Sequence, residues 1–221
     1  MENNIPLHPV SEHRKNYILG TLDTPDLTSD PLVLFEIWMA NALESEISEP
    51  TAMTLATVNA EGKPSARIVL LKGVSTEGFE FYTNYQSRKA KEMDQVPYVS
   101  LVFLWKELER QVRIEGRVEK VSFEKSQTYF QSRPRGSQIG AWASPQSEVI
   151  PDRQVLEDAS ASVSEKFENV DPLPCPEHWG GYLVIPDAIE FWQGRSDRLH
   201  DRFRYTRNEK EANWSVDRLA P

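Results

Sequence analysis

Tyr98-Val-Ser-Leu-Val-Phe-Leu-Trp105 and Gln111-Val-Arg-Ile-Glu-Gly-Arg-Val-Glu-Lys-Val121, joined by Lys106–Arg110, decide the fold class. In the second run Val112, Ile114, Gly116 and Val118 alternate with Arg113, Glu115, Arg117 and Glu119. A period of two, with one apolar and one charged face, predicts a half-buried antiparallel strand. Upstream, Met53–Val58 reads as a strand, Asn59–Lys63 as a turn, and Ala66–Lys72 as the return strand of a hairpin. Phe79–Thr83 is a further short strand, and Ser87 stands where it would cap a short basic helix through Met93.

Further out the period becomes helical. Asp30-Pro31 is an N-cap followed by proline in the first turn, and Leu32, Phe35, Met39, Ala42 and Leu43 predict a helix over 31–46. Helices are also expected at 122–132 and 152–168, with a Pro-rich linker at Asp171–Pro176. Trp179-Gly180-Gly181-Tyr182 opens two last strands, one through Ile185 and one from Ala188 to Trp192. Strands follow one another without alternating helices. The expected fold is therefore mainly β: an antiparallel, barrel-like sheet with peripheral helices. Residues 1–29 read as an N-terminal arm and 30–221 as one domain.

Composition narrows the function. The 221 residues carry 25 Lys and Arg against 34 Asp and Glu, a formal net charge of −9. That balance argues against a general nucleic-acid binder. No apolar run reaches the ~18 residues of a membrane span, and no secretory leader pattern opens the chain, so a soluble cytoplasmic protein is expected. Cys175 is the single cysteine, and His8, His13, His178 and His200 never stand at His-x-x-x-His spacing, so no metal site is expected. Walker-type and Gly-x-Gly phosphate loops and the Gly-x-Ser-x-Gly elbow are missing.

Against this acidic background the cations cluster. Arg195, Arg198, Arg202, Arg204 and Arg207 surround His200, Arg133 and Arg135 flank Pro134, Arg67 and Lys72 bracket one strand, and Arg88-Lys89 opens a helix. Any single Arg is more often a solvated, paired side chain. Several clusters together suit small anionic ligands, because Arg forks and helix N-termini recognise phosphate. Ser132-Arg-Pro-Arg-Gly-Ser-Gln-Ile-Gly-Ala-Trp-Ala-Ser-Pro-Gln-Ser147 has neither a helical nor a strand period and reads as a loop. It combines donors, charge and an aromatic plane, the pieces for a phosphorylated planar ligand.

Ala66-Arg-Ile-Val-Leu-Leu-Lys-Gly73, Phe81-Tyr-Thr-Asn84, Ser87-Arg-Lys89, Glu109-Arg-Gln-Val-Arg-Ile-Glu-Gly116, the 132–147 stretch, Glu190-Phe-Trp-Gln-Gly194, Arg198-Leu-His-Asp-Arg202 and Arg218-Leu-Ala-Pro221 follow in order along residues 30–221. Together with Arg14-Lys-Asn-Tyr17 they resemble the pyridoxine/pyridoxamine 5′-phosphate oxidase family. The resemblance implies a homodimeric FMN-binding split β-barrel, Greek-key-like, with FMN at the dimer interface. It implies oxidation of pyridoxamine 5′-phosphate or pyridoxine 5′-phosphate by molecular oxygen to pyridoxal 5′-phosphate, with hydrogen peroxide and, from the amine, ammonia released.

Carried onto this sequence, the FMN contacts are Arg67, Ile68, Val69, Leu70, Leu71, Lys72, Tyr82, Thr83, Arg88, Lys89, Gln111, Gln146, Ser147, Trp192 and Arg202. Substrate contacts are Lys72, Tyr129, Arg133 and Ser137 at the phosphate, and Arg198, Leu199 and His200 at the ring, with Arg14 and Tyr17 as a lid. The implied catalytic pair is Arg198 and His200, which position substrate and assist proton loss. Two spacings bear on this: Tyr129 and Arg133 share a face if helical, and Arg198, His200 and Arg202 share a side if extended. Arg195-Ser196-Asp197 and most of the arm depart from the family pattern. Two other readings stand beside this one: a split-barrel flavin oxidase acting on a phenazine-type precursor, and a non-catalytic flavin or vitamin-phosphate binder.

Overall fold

The computed structural model describes residues 15–208 and 213–221. Arg14 therefore lies outside the described residues. The chain begins with α1 (Pro31–Glu44), β1 (Ala52–Val58), β2 (Pro64–Leu70), β3 (Gly73–Ser75) and β4 (Gly78–Asn84). The middle contains α2 (Arg88–Gln95), β5 (Tyr98–Trp105), β6 (Arg110–Lys120), α3 (Phe123–Ser132), α4 (Arg135–Ala143) and α5 (Gln154–Lys166). It closes with β7 (Trp179–Gln193), β8 (Asp201–Asn208) and β9 (Asn213–Arg218). All strand pairs are antiparallel, in the order β2-β1-β5-β6-β7-β4-β3, with β8 on β7 and β9 on β8.

The alternation works as read. In β5, Val99, Leu101, Phe103 and Trp105 are buried, and in β6 so are Val112, Ile114 and Val118. Asp30 caps α1 through its side chain, which accepts from the Leu32 N–H, and Pro31 occupies the first turn. The helix buries Leu34, Phe35, Trp38 and Ala42, and Phe35 meets Phe79 and Phe103 edge-on at 4.8 and 5.1 Å. The β1–β2 hairpin closes through Gly62, whose φ of +77° suits a residue without a Cβ. A second cluster, Phe130, Phe167, Leu173, Cys175 and Trp179, joins α3–α5 to the start of β7.

Three expectations need correction. The two last strands are one continuous strand, β7, and what changes at Pro186 is the partner. Trp179–Val184 pairs with β4, whereas Ala188–Gln193 pairs with β8. Beside Pro186, which has no N–H to donate, β7 carries one extra residue, Asp187, and the register against β6 shifts between Glu115 and Gly116. Secondly, the 132–147 stretch contains α4. It is held by tertiary bonds: Arg135 donates to the carbonyls of Phe167 and Val170 at 2.7 and 2.6 Å, and Gln138 Oε1 accepts from Leu173 N–H at 2.8 Å. Lastly, Arg198, His200 and Arg202 do not lie in one extended segment. Ser196–Arg198 forms a 3-10 turn with Asp197 and Arg198 at φ +56° and +63°, and β8 begins only at Asp201.

At the bulge, a Cβ on Gly116 would lie 2.1 Å from the Ile185 carbonyl oxygen. Gly116→Ala is expected to cost about 2 kcal/mol or more of folding stability, as overpacking does. Urea unfolding followed by tryptophan fluorescence measures it; an unchanged midpoint would mean that the two strands can part without penalty.

Candidate functional site

The sequence-derived residues gather in two groups. The first stands on β2, β4, α2, α3 and α4. Lys89, in the first turn of α2, donates to Thr83 Oγ1 at 3.1 Å and to Gln146 Oε1 at 2.9 Å, and Thr83 Oγ1 donates to Gln146 Oε1 at 3.1 Å. Burial first, and then the Arg67 charge, push the Lys89 ammonium down to about 8. Arg67 and Arg88 both pair with Glu92, at 3.3 and 2.8 Å. Ser147, at φ +75°, and Arg88 line a cavity of about 350 Å³. Ile68 on β2 and the Lys72 side chain are exposed, and the Lys72 N–H donates to the Glu80 carbonyl at 2.8 Å.

Beside this cation group lies an aromatic stack. Tyr82 on β4 stacks on Tyr129 of α3 at 4.0 Å and on Trp179 of β7 at 5.6 Å. The Arg133 guanidinium sits 4.7 Å above the Trp179 ring. Arg133 caps α3 rather than continuing it, yet Tyr129 and Arg133 meet as their spacing suggests, because both reach Trp179. Arg133, Ser137, Gln146, Asn84 and Trp179 line a cavity of about 240 Å³. Arg133 Nη1 is buried with no hydrogen-bond partner among the described residues. A buried guanidinium nitrogen without an acceptor is costly, and an anionic ligand would remove that cost.

The second group stands on the arm, β6, the far end of β7 and β8. Leu104, Gln111, Trp192 and Arg202 form one row across β5, β6, β7 and β8. The rings of Tyr17, Trp192 and His200 cluster, with centroids 4.6–5.8 Å apart. Tyr17, Gln111 and Trp192 line a cavity of about 460 Å³, and Tyr17, Arg195, Arg198 and His200 one of about 560 Å³. His200 Nδ1 accepts the Arg195 backbone N–H at 3.1 Å. Burial first, and then the Arg198 charge, push its pKa down, so the ring is neutral near pH 7 with its proton on Nε2. Arg202 donates to Glu190 at 2.9 Å and to the Ala220 carbonyl at 2.8 Å, on the opposite side of β8 from buried Phe203. Leu199 is 70% exposed.

Glu109 and Glu92 are functional candidates that the sequence reading passed over. Glu109 is 2% exposed and sits at φ +54° in the turn before β6. Its Oε2 accepts the N–H groups of Ile18 and Leu19 at 2.7 and 3.0 Å, and its Oε1 lies 3.3 Å from Lys15 Nζ. Burial would raise this carboxyl; those bonds outweigh it and lower it. Glu109 therefore latches the arm that carries Tyr17. Its signal was its place in a quoted motif; that of Glu92 was an acid four residues after Arg88 in a helix that opens Arg88-Lys89-Ala90-Lys91.

The model of the family described as pyridoxamine 5′-phosphate oxidase matches residues 39–167, and that of the pyridoxine 5′-phosphate oxidase C-terminal dimerisation region matches 179–221. The chain belongs to the pyridoxamine 5′-phosphate oxidase family. It is 53% identical to a pyridoxine/pyridoxamine 5′-phosphate oxidase of Paraburkholderia phytofirmans over 96% of this chain and 99% of that protein. It is 51% identical to one of Salinibacter ruber over 96% of this chain and 99% of that protein. Among solved structures, PhzG from Burkholderia lata 383, in complex with tetrahydrophenazine-1-carboxylic acid, superposes with a TM-score of 0.84 at 30% identity. That match covers 91% of this chain and all of PhzG. A pyridoxamine 5′-phosphate oxidase-related, FMN binding protein from Nostoc punctiforme shares the fold at TM-score 0.68 and 20% identity, over 88% of this chain and 100% of that one. The fold is thus the expected split barrel, and the chain is an oxidase of this family's type. Among the described residues no helix is long and apolar enough to cross a membrane.

Removing the Glu109 carboxylate takes the acceptor from two backbone amides. In Glu109→Ala the Ile18 and Leu19 amides are expected to exchange with solvent on the order of tenfold faster or more. Hydrogen exchange read by mass spectrometry on the 15–22 segment checks this; unchanged protection would place the latch elsewhere.

Proposed function

We propose that this chain oxidises pyridoxamine 5′-phosphate and pyridoxine 5′-phosphate to pyridoxal 5′-phosphate, with FMN as cofactor and molecular oxygen as acceptor. Hydrogen peroxide is released; with the amine, water enters and ammonia leaves. The observation that carries the substrate class is the Arg133 guanidinium, which lines the cavity shared with Ser137 and has one buried nitrogen without a partner among the described residues. It is an anion-binding group beside an aromatic stack, as a phosphorylated pyridine requires. The donor set also fits FMN: Arg67, Arg88 and Lys89 together offer the positive charge that a phosphate dianion needs, with Thr83, Gln146 and Ser147 as polar neighbours.

Each of the cavities described is lined from one group alone. Trp179 of the first group and Trp192 of the second lie thirteen residues apart on β7, roughly 40 Å of strand. A site needing both groups is best formed by two copies of the chain, the first group of one protomer facing the second group of its partner. The dimerisation region at 179–221 contains Trp192, Arg198, His200 and Arg202, which supports that arrangement. Residues 15–19 then act as an arm over the second group, whereas Leu22 and Leu27 pack into the barrel core.

FMN, when bound, supplies the two-electron acceptor. The chain's own residues bind, orient and handle protons. Arg133, Ser137, Tyr129 and Lys72 hold the substrate phosphate, and Arg198 and His200 hold the ring. His200 presents Nε2–H, so in this conformation it would donate a hydrogen bond to an oxygen substituent of the pyridine ring rather than take a proton. Arg198 and Asp197 both occupy the left-handed region, at a cost of about 1 kcal/mol or more each, a strain typical of segments shaped for a ligand. Tyr17 closes the wall beside Trp192 and His200.

The purified protein is expected to carry flavin and to consume oxygen with pyridoxamine 5′-phosphate. Arg198→Ala with His200→Ala is expected to lower kcat/KM on the order of a hundredfold or more. Flavin without turnover on either pyridoxine 5′-phosphate or pyridoxamine 5′-phosphate would favour a binding protein, and turnover of a tetrahydrophenazine carboxylic acid instead would favour the PhzG-like reading. An unchanged kcat/KM would remove the two residues from the site.

Lys89 gives a pH signature. Below about 8 its ammonium is charged and attracts phosphate; above, it is neutral in the free protein. FMN affinity is therefore expected to fall as pH rises from 7 to 9, by up to about tenfold per pH unit once Lys89 has lost its proton. Fluorescence titration with FMN reads this slope, and Lys89→Met should flatten it. A wild-type slope of zero would sink the assignment.

A further inference from the structure

α2 is basic in its first turns, with Arg88, Lys89 and Lys91, yet it buries one carboxylate, Glu92, at 5% exposure. Four side chains converge on it. Glu92 Oε2 accepts from the hydroxyls of Thr57 and Ser65, the latter at 2.7 Å, and from Arg67 Nη2 at 3.3 Å. Oε1 accepts from Arg88 Nε at 2.8 Å. The hydroxyls are in turn acceptors for Arg67: Nη1 donates to Thr57 Oγ1 at 2.6 Å and to the Leu55 carbonyl at 3.1 Å, and Nη2 donates to Ser65 Oγ. Each hydroxyl has one proton, spends it on Glu92, and turns its lone pairs to Arg67. The carboxylate thus fixes the orientation of both hydroxyls and, through them, of the guanidinium. Burial alone would raise the Glu92 carboxyl; hydrogen bonds from Thr57, Ser65 and Arg88, with the Arg88 charge, hold it down to about 2.

We propose that Glu92 is the positioning residue of the cofactor-phosphate site: it binds Arg67 of β2 and Arg88 of α2 into one rigid unit, and FMN is distinguished from phosphate-free riboflavin through that unit. The proposal rests on the assignment of Arg67, Arg88 and Lys89 to the FMN phosphate. Arg67 uses most of its donors within the protein, so its part is fixed charge and the seating of the strand. Arg88 is anchored at Nε alone, its side chain is largely exposed, and it lines the cavity shared with Ser147. Anchoring one edge of a fork while leaving the other open is how a guanidinium is aimed at a ligand.

The sign of the effect separates positioning from plain electrostatics. A carboxylate beside an anion site repels the anion, so if Glu92 only adjusted charge, removing it would tighten FMN. If it positions the arginines, removing it weakens FMN. The test titrates the full-length chain, freed of flavin, with FMN and with riboflavin in parallel. Glu92→Gln, similar in shape and uncharged, is expected to raise the FMN dissociation constant at least tenfold and leave that of riboflavin within twofold. Glu92→Asp, which keeps the charge, should recover part of the loss. Tighter or unchanged FMN binding in Glu92→Gln overturns the proposal. Should that variant not fold, Ser65→Ala removes one donor to Oε2; a selective loss of FMN affinity of about threefold supports the proposal, and equal losses for both ligands overturn it. Arg88→Met and Arg67→Met test the underlying assignment. If neither separates FMN from riboflavin, the phosphate site is wrongly placed; if they do and the Glu92 and Ser65 variants do not, only the positioning role fails.

Discussion

β7 has to satisfy three neighbours, and it does so by changing partner at Pro186. Along one edge it keeps β6 from Tyr182 to Gln193, on both sides of the fork, with a bulge where Pro186 offers no N–H. Along the other it serves β4 first and β8 afterwards. The sheet forks at that point, and the fork sets where chemistry can stand. Before it, Trp179 faces Tyr82, Tyr129 and Arg133; after it, Trp192 stands between Gln111 and Arg202. Gly116 lets the two backbones approach at the fork, where any side chain would strike the Ile185 carbonyl.

The acidic surplus takes a different meaning in three dimensions. A net charge of −9 first looks like solvated carboxylate facing solvent. Yet Glu92, Glu109 and Glu190 are buried, and each organises something. Glu92 holds Arg67 and Arg88, Glu190 holds Arg202, and Glu109 holds the arm. A buried carboxylate is expensive unless its lone pairs are filled, so each confines its partners to a narrow geometry. Arg67, Arg88 and Arg202 are indeed paired with acids, as the bland reading of any single Arg expects, but with buried acids whose pairing directs them. Opposite charge here shapes anion recognition more than it neutralises it.

The strands were legible wherever burial alternates. Tyr98–Trp105 is a strand over the very span its pattern marks, because one face is apolar and the other is not. Residues 31–44 were legible because a cap, a proline and an apolar stripe agree. α4 was not, because Arg135–Ala143 has few apolar residues and is held by Arg135 and Gln138 reaching carbonyls and an amide some 30 residues away in sequence. The β8–β9 hairpin was masked by its arginines, although Phe203 and Tyr205 do alternate inward. At the site, the cation clusters were visible as clusters. Their division into two groups was not, since it follows from the fork in β7 and no local pattern records it. Glu92 lay hidden for the opposite reason: an acid in a basic helix reads as an ordinary surface pair until Thr57 and Ser65 close over it.

The two groups also differ in stiffness, and that difference fits their work. The first is braced by a hydrogen-bonded cage and a stack of three rings, so its charges are in place before any ligand arrives. Preorganised charge of this kind suits a resident cofactor and a phosphate anchor, for which orientation must not be lost at each turnover. The second hangs on a strained turn, exposed Leu199 and the 15–19 end of the arm, which is tied down at Glu109 ahead of buried Leu22. Such elements open at lower free energy than the sheet does. A substrate that must enter, react and leave needs one wall that yields. On the proposed reading, a yielding wall at the ring end and a braced one at the phosphate end would let the product leave while Arg67, Arg88 and Lys89 stay in place.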